Sequence, residues 1–106
     1  MSELDNRKTK DLLKAILALK REKEAKMFLQ DLLTEQEIVE FGNRWKAARM
    51  LSEKKAYPEI QEETGLSTRT IARISKWLKS GKGGYKLMIK KLSHYRASSK
   101  SGKRLI

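Results

Sequence analysis

The apolar residues of the chain recur every three or four positions along most of its length, which is the spacing of one helix face. In the N-terminal third this spacing predicts helices over residues 4–20 and 24–32. Thr34 is the predicted N-cap of a third helix that runs to about Lys54, and Glu37 completes a capping box. Alternation of period two is nowhere sustained, so no strands are expected. The apolar positions of the third helix are Ile38, Phe41, Trp45, Ala48 and Leu51.

Two shorter helices are predicted within residues 57–78. Pro58 suits the opening turn of the first one, because a backbone N–H is not needed there. Gly65 stands just past its end, where a left-handed backbone costs glycine nothing. Ser67 is a suitable N-cap for the second helix. Two helices joined by a short turn that contains glycine describe a helix-turn-helix, although a plain helical hairpin fits the same pattern.

The second of these helices has two distinct faces. Its apolar positions recur at helical spacing and should face the core, and its polar positions recur on another side. The predicted inward set is Leu66, Ile71, Ile74 and Leu78, and the other face carries Arg69, Ala72, Arg73 and Lys76. Its three cationic residues make the exposed face of this helix basic.

Glycines at positions 81, 83 and 84 form a joint that leads to a sixth predicted helix, over residues 85–96. The last stretch, residues 97–106, consists mostly of Ser, Gly, Lys and Arg, and it is predicted to be a disordered basic tail. Residues 1–96 are therefore expected to form one all-α domain of about six helices.

Charge is distributed unevenly along the chain. Residues 1–63 carry 13 Lys or Arg and 13 Asp or Glu, whereas residues 64–106 carry 12 Lys or Arg and no acidic residue. The net charge of +12 therefore lies on the second short helix and everything after it. Such segregation is the electrostatic footprint expected for binding a phosphate backbone. An anionic membrane would instead need a basic helix with a broad exposed apolar face, so nucleic acid is the expected partner.

The chain has no cysteine and one histidine, His94. A disulfide framework and a thiolate metal site are therefore excluded, and no nucleophile, base and acid set can be assembled. We expect neither an enzyme nor a bound metal or other cofactor. No hydrophobic run approaches the span of a bilayer, and residues 1–20 do not resemble a signal peptide, so the cytoplasm is the expected location.

The N-terminal helices carry more apolar residues than a lone surface helix needs. Residues 12–19 are apolar around more than half of the helix circumference. This surplus fits either the core of one chain or a dimer surface, and a two-fold DNA-binding protein requires such a surface.

Residues 28–92 resemble the Trp repressor family, and in particular its YerC/YecD branch. The resemblance rests on LLT at 32–34 before an acidic helix start, on GNR at 42–44, and on EIQEETGLSTRTIARISKWLK at 59–79. It implies six helices, an intertwined homodimer built from the N-terminal helices, and binding to a palindromic operator.

The resemblance also implies where a tryptophan corepressor would bind. In tryptophan-dependent relatives two arginines sandwich the indole, and Arg44 and Arg73 stand at those places here. Thr34 matches a threonine that helps to hold the ligand carboxylate. Two positions differ, because Ile74 replaces a glycine and Trp77 replaces a serine that meets the ligand amino group. Their bulk should fill the pocket, so tryptophan is not expected as a corepressor.

The leading prediction is a homodimeric, sequence-specific transcriptional regulator, a repressor, whose recognition helix enters the major groove of double-stranded DNA. A non-specific nucleic-acid-binding protein and a small interaction module for an acidic partner are the alternatives. The candidate DNA-binding residues are Gln61, Ser67, Thr68, Arg69, Thr70, Ala72, Arg73 and Lys76. The candidate effector-pocket residues are Thr34, Arg44, Arg73, Ile74 and Trp77.

Overall fold

The computed structural model describes residues 3–93, and this part of the chain is helical without any strand. The predicted all-α class with about six helices is confirmed. His94 and the predicted tail at 97–106 lie outside the described residues, and the single domain over 1–96 stays a prediction. A short 3-10 turn at Glu3–Asp5 precedes the helices, which are α1 (Arg7–Ala18), α2 (Glu22–Leu32), α3 (Glu35–Ser52), α4 (Tyr57–Thr64), α5 (Thr68–Ser80) and α6 (residues 84–93).

The first helix begins three residues later than its apolar pattern predicts. The side-chain oxygen of Asn6 accepts a hydrogen bond from the Thr9 N–H at 2.9 Å, and this makes Asn6 the N-cap of α1. The Asn6 amide also donates to the Glu3 carbonyl oxygen at 2.8 Å. Because asparagine is a strong N-cap residue, the start of α1 is set by this short-range polar interaction.

The described residues fall into two compact units that divide between Val39 and Glu40, within α3. The first unit contains α1, α2 and the start of α3. Neither α1 nor α2 has a buried residue, and Leu17 is 82% exposed. Among residues 3–93, the apolar side chains of these helices are therefore exposed or only half-buried.

The second unit has a small core where α3, α4 and α5 meet. Two adjacent small residues of α3, Ala47 and Ala48, are completely buried, and they leave room for branched side chains from the other two helices. Ile60 of α4 and Ile71 and Ile74 of α5 are also completely buried. Full burial of one such side chain contributes about 1.5–3 kcal/mol. The predicted inward orientation of α5 is thus confirmed for its two isoleucines.

Both ends of α3 are closed by local hydrogen bonds. The Glu37 N–H donates to Thr34 Oγ1 at 3.1 Å, and the Thr34 N–H donates to Glu37 Oε1 at 2.9 Å. The predicted capping box is therefore confirmed. At the other end Lys54 has a φ of 65° and its N–H donates to the Leu51 carbonyl oxygen at 3.0 Å. The helix stops at Ser52, two residues before its predicted end, because the backbone turns at Lys54.

The glycine-rich segment after α5 has specific conformational requirements. The Gly81 N–H closes α5 by donating to the Trp77 carbonyl oxygen at 2.9 Å. A Cβ atom on Gly81 would lie 2.5 Å from that same oxygen, and Gly83 has a φ of 91°. By contrast, a Cβ atom on Gly84 would meet nothing within 4 Å. Gly81 and Gly83 therefore fix the path of the chain from α5 to α6.

We predict that Gly81→Ala lowers the free energy of unfolding by about 1–3 kcal/mol, because the new methyl group overlaps backbone atoms of α5. Gly84→Ala is the matched control, since the added methyl group is free of contacts and alanine favours the start of α6 by up to about 1 kcal/mol. Urea unfolding followed by circular dichroism measures both changes. Equal stability of the two variants would contradict the predicted overlap between a Cβ atom at position 81 and the Trp77 carbonyl oxygen.

Candidate nucleic-acid interface

A three-residue turn joins α4 to α5, and hydrogen bonds hold it on both sides. Pro58 lies in the first turn of α4, as predicted. Gly65 has a left-handed backbone with a φ of 72°, and its N–H donates to the Gln61 carbonyl oxygen at 2.8 Å. Ser67 caps α5, because its Oγ accepts from the Thr70 N–H at 3.1 Å. The predicted roles of Pro58, Gly65 and Ser67 in the helix-turn-helix geometry are confirmed.

Thr64 is a further structural residue of the turn that the sequence pattern did not single out. Its side chain is buried, its hydroxyl donates to the Ile60 carbonyl oxygen at 2.8 Å, and it accepts from the Leu66 N–H at 3.2 Å. These bonds satisfy polar groups at the point where α4 ends and the chain reverses. Thr64 therefore helps to fix the angle between α4 and α5.

An ion pair also links α4 to α3 on the outside of the core. Lys46 Nζ lies 2.8 Å from Glu63 Oε2, and both side chains are about half exposed. The hydrogen bond from Lys46, together with its positive charge, lowers the pKa of the Glu63 carboxyl. The two residues are distant in sequence and belong to different helices, so helical periodicity gave no indication of the pair.

Most of the candidate DNA-binding residues are exposed, and two of them have a structural role in capping α5. Thr70 is half-buried, and its hydroxyl accepts from that of Ser67 at 3.0 Å, so both side chains serve the cap of α5. Within residues 3–93, neither Arg69, Arg73 nor Lys76 makes an ion pair. The exposed residues of this surface are Gln61, Ser67, Thr68, Arg69, Ala72, Arg73 and Lys76.

The candidate effector-pocket residues have very different surroundings. Arg44 donates to Glu40 Oε2 at 2.6 Å and its guanidinium lies 5.8 Å from the centre of the Phe41 ring. Ile74 is completely buried in the core of the second unit. Trp77 is 42% exposed, so its indole does not fold into that core.

Two further candidate residues complete this set. Arg73 is exposed on α5, and Thr34 lies in the first unit, where its hydroxyl caps α3. Among residues 3–93 no three or more His, Cys, Asp or Glu side chains group as they would to hold a metal ion. In the same part of the chain, no helix has the length and the apolar content that crossing a bilayer requires.

A helix-turn-helix with an exposed basic face on its second helix is typical of DNA-binding regulators. The family model for the Trp repressor protein matches residues 7–93. Over 101 residues the chain is 34% identical to the uncharacterized protein YerC of Bacillus subtilis (strain 168), and the match covers 95% of this chain and 97% of that protein. The chain belongs to the Trp repressor family and is of the YerC type.

Two solved structures share this fold over most of their length. A TrpR-like protein from Eubacterium eligens ATCC 27750 matches with a TM-score of 0.82 and 37% identity, covering 86% of this chain and 94% of that one. A putative Trp repressor from Staphylococcus aureus matches with a TM-score of 0.80 and 28% identity, covering 88% and 96%. Membership of this family indicates a DNA-binding regulator.

We predict that the Lys46–Glu63 pair makes stability depend on pH. Glu63 has a folded-state pKa below its ordinary value of 4.5, so the pair stabilises the fold above that pH. The contribution should disappear as the pH falls through the lowered pKa. Urea unfolding of the wild type and of Glu63→Gln at several pH values measures it.

The free energy of unfolding of Glu63→Gln should be lower than that of the wild type at neutral pH, and this difference should vanish in acid. Glu62→Gln is the matched control, because it removes the neighbouring exposed carboxylate. A difference for Glu63→Gln that persists unchanged well below pH 4.5 would contradict the role given to its charge.

Proposed function

We propose that the protein is a sequence-specific DNA-binding transcriptional regulator, a repressor, that acts in the cytoplasm as a homodimer. The observation that carries this proposal is the basic face of α5, which is exposed and makes no ion pair within residues 3–93. A helix that reads bases must present free polar side chains on a rigid support. The buried contacts of Ile60, Ile71 and Ile74 provide that support.

Base reading is assigned to the N-terminal half of α5. Arg69 and Arg73 are four residues apart and therefore lie on one side of the helix. Arginine binds O6 and N7 of guanine through two parallel hydrogen bonds, which is the commonest specific contact in the major groove. Thr68 and Ala72 share this exposed surface, and small side chains there allow close approach to bases. Gln61 of α4 and Lys76, in the C-terminal half of α5, are assigned to phosphate contacts.

The homodimer is supported by the exposed apolar side chains of the first unit. The helices α1 and α2 contribute no buried residue, and a helix pair without a core is not stable alone. A second copy would cover this surface and would place two recognition helices about one DNA turn apart. The exposed apolar side chains are Leu13, Ile16, Leu17, Met27, Leu29 and Leu32.

DNA binding without tryptophan is supported by the surroundings of two residues. The guanidinium of Arg44 is already paired with the Glu40 carboxylate at 2.6 Å, and a ligand that uses Arg44 would have to compete with this pair. Ile74 fills its place in the core completely, which leaves no space next to Arg73 of the kind that glycine would provide. The protein therefore binds its operator without free tryptophan.

A non-specific nucleic-acid-binding protein is the second candidate, and the concentration of 12 Lys or Arg in residues 64–106 favours it. Selection of bound fragments from a pool of random duplex DNA distinguishes a sequence-specific regulator from a non-specific nucleic-acid-binding protein. Recovery of one palindromic sequence, bound at least about a thousandfold more tightly than random duplex, supports the regulator. Recovery of fragments without a shared sequence supports the second candidate.

We predict that the protein sediments at equilibrium as a dimer of twice 12.3 kDa in the absence of DNA. Leu17→Glu should shift the mass toward the monomer and lower stability, because it places a charge on the surface that the second copy covers. Lys14→Glu on the same helix is the matched control. A monomer at tens of micromolar wild-type protein would contradict the dimer.

We predict that Arg69→Ala weakens binding to the selected operator by about 1–3 kcal/mol and relaxes preference at one base pair. Removal of Lys100, Lys103 and Arg104 should weaken binding to all sequences alike. It should also reduce the slope of the logarithm of the binding constant against the logarithm of the salt concentration, by up to roughly one unit per lost phosphate contact. Fluorescence anisotropy at several salt concentrations measures both effects. Equal losses on operator and random duplex for Arg69→Ala would favour the second candidate.

We predict that L-tryptophan neither binds with micromolar affinity nor strengthens DNA binding. Calorimetric titration tests the first part, and operator affinity with and without the amino acid tests the second. Tryptophan binding that tightens operator affinity tenfold, which is about 1.4 kcal/mol, would contradict the role given to Glu40 and Ile74.

A further inference from the structure

The second unit contains an aromatic cleft of about 840 Å³ between α3, α5 and α6. We call it the aromatic cleft and define it by Trp45, Trp77, Tyr85 and Met88. Trp77 is 42% exposed and Met88 is 43% exposed, so large apolar surfaces of both side chains face solvent. The rings of Trp45 and Tyr85 are stacked, with centroids 6.4 Å apart and planes at 24°. The cleft thus offers flat apolar surfaces that the fold itself does not cover.

The edge of the aromatic cleft is positively charged. Lys76 and Lys82 belong to its lining, and no acidic side chain lies among the lining residues. Neither lysine makes an ion pair within residues 3–93. The aromatic cleft therefore combines π surfaces with ammonium groups that have no counter-charge among the described residues.

We propose that the aromatic cleft binds a small ligand with a planar aromatic ring and a negative charge. The ring would lie against Trp77 and Tyr85, because aromatic faces contribute most to binding apolar rings. The charge would lie next to Lys76, which is the partner for a carboxylate or phosphate oxygen. The volume lies in the range of ordinary small-molecule sites. Aromatic carboxylates and nucleotides share this chemistry.

The aromatic cleft differs from the candidate effector pocket of the family. The two have only Trp77 in common, and the residues that would hold a carboxylate differ. A second copy of the chain is the other possible occupant. Lysine is depleted in the core of protein interfaces, so the two unpaired lysines favour an anionic ligand.

The position of Lys76 couples the ligand to DNA, and this step rests on the proposed function. Lys76 is assigned to a phosphate contact of the recognition helix, and its side chain also lines the aromatic cleft. An anion that engages Lys76 there removes it from the DNA phosphate. The bound ligand should therefore weaken operator binding.

Binding is tested on the full chain without DNA, by the indole N–H resonances of Trp45 and Trp77, its two tryptophans. The probes are 2-naphthoate, its uncharged relative 2-naphthamide, and AMP. We expect saturable shifts of both resonances, with 2-naphthoate binding at least about fivefold more tightly than 2-naphthamide, as a single charge-assisted contact allows. Tighter binding of AMP than of 2-naphthoate would identify nucleotides as the ligand class. Tighter binding of 2-naphthoate than of AMP would identify aromatic acids.

Three variants locate the site. Lys76→Gln should remove the preference for 2-naphthoate over 2-naphthamide, whereas Lys90→Gln, at an exposed lysine outside the cleft, should retain it. Trp77→Leu should weaken 2-naphthoate at least about tenfold, as expected for the loss of an aromatic stacking surface. The amide spectrum of each variant reports whether it is folded.

Several results would overturn the proposal. One is the absence of saturable shifts with millimolar 2-naphthoate and AMP. Another is equal affinity for 2-naphthoate and 2-naphthamide that Lys76→Gln does not change. Weaker dimerisation of Trp77→Leu without any ligand response would show that a second copy occupies the aromatic cleft. Because no DNA is present, these results are independent of the operator experiments.

Discussion

The burial of three isoleucines against two alanines holds this protein together where its function requires rigidity. Ile60 from α4 and Ile71 and Ile74 from α5 are completely buried, and Ala47 and Ala48 of α3 are their small partners. Because these side chains come from three helices, their packing fixes the angle between α4 and α5. A recognition helix can select a sequence only if that angle is constant. A larger residue at either alanine would force the helices apart.

The packed core holds the charged face of α5 in a fixed position. The acidic residues are confined to residues 1–63, where Glu40 pairs with Arg44 one helical turn away and Glu63 of α4 pairs with Lys46 of α3. The face of α5 has no such partners within the described residues, and its charge remains available to an external anion. The same absence of acids leaves Lys76 available to both DNA and the aromatic cleft. One uneven distribution of charge therefore underlies the proposed DNA binding and its proposed control.

Interactions that span three or four residues could be predicted from the sequence. The capping box of Thr34 and Glu37, the left-handed Gly65 and the N-cap Ser67 all follow from side-chain chemistry next to a helix end. Features that depend on distant residues could not be predicted in this way. Phe41 has the spacing of a core residue but is 45% exposed, because α3 is buried only from Ala47 onward.

In the candidate site, too, features set by near neighbours in sequence could be predicted and those that depend on distant residues could not. The exposed basic face of α5 follows from its helical period, whereas the cleft needs Trp45, Trp77 and Tyr85 from three different helices to converge. No periodic pattern encodes that convergence. The turn at Lys54, where lysine takes a left-handed conformation, was also unpredictable, since glycine or asparagine is the usual residue there.

Because the chain has no cysteine, one cutting reagent can be attached at a single chosen position. Thr68→Cys carrying tethered iron–EDTA places the reagent at the exposed first residue of α5. Bound to the selected operator, this protein should cut the duplex in two clusters about one helical turn apart, roughly 34 Å. Cuts spread evenly along the duplex, without two clusters, would contradict the central claim that α5 reads the DNA sequence.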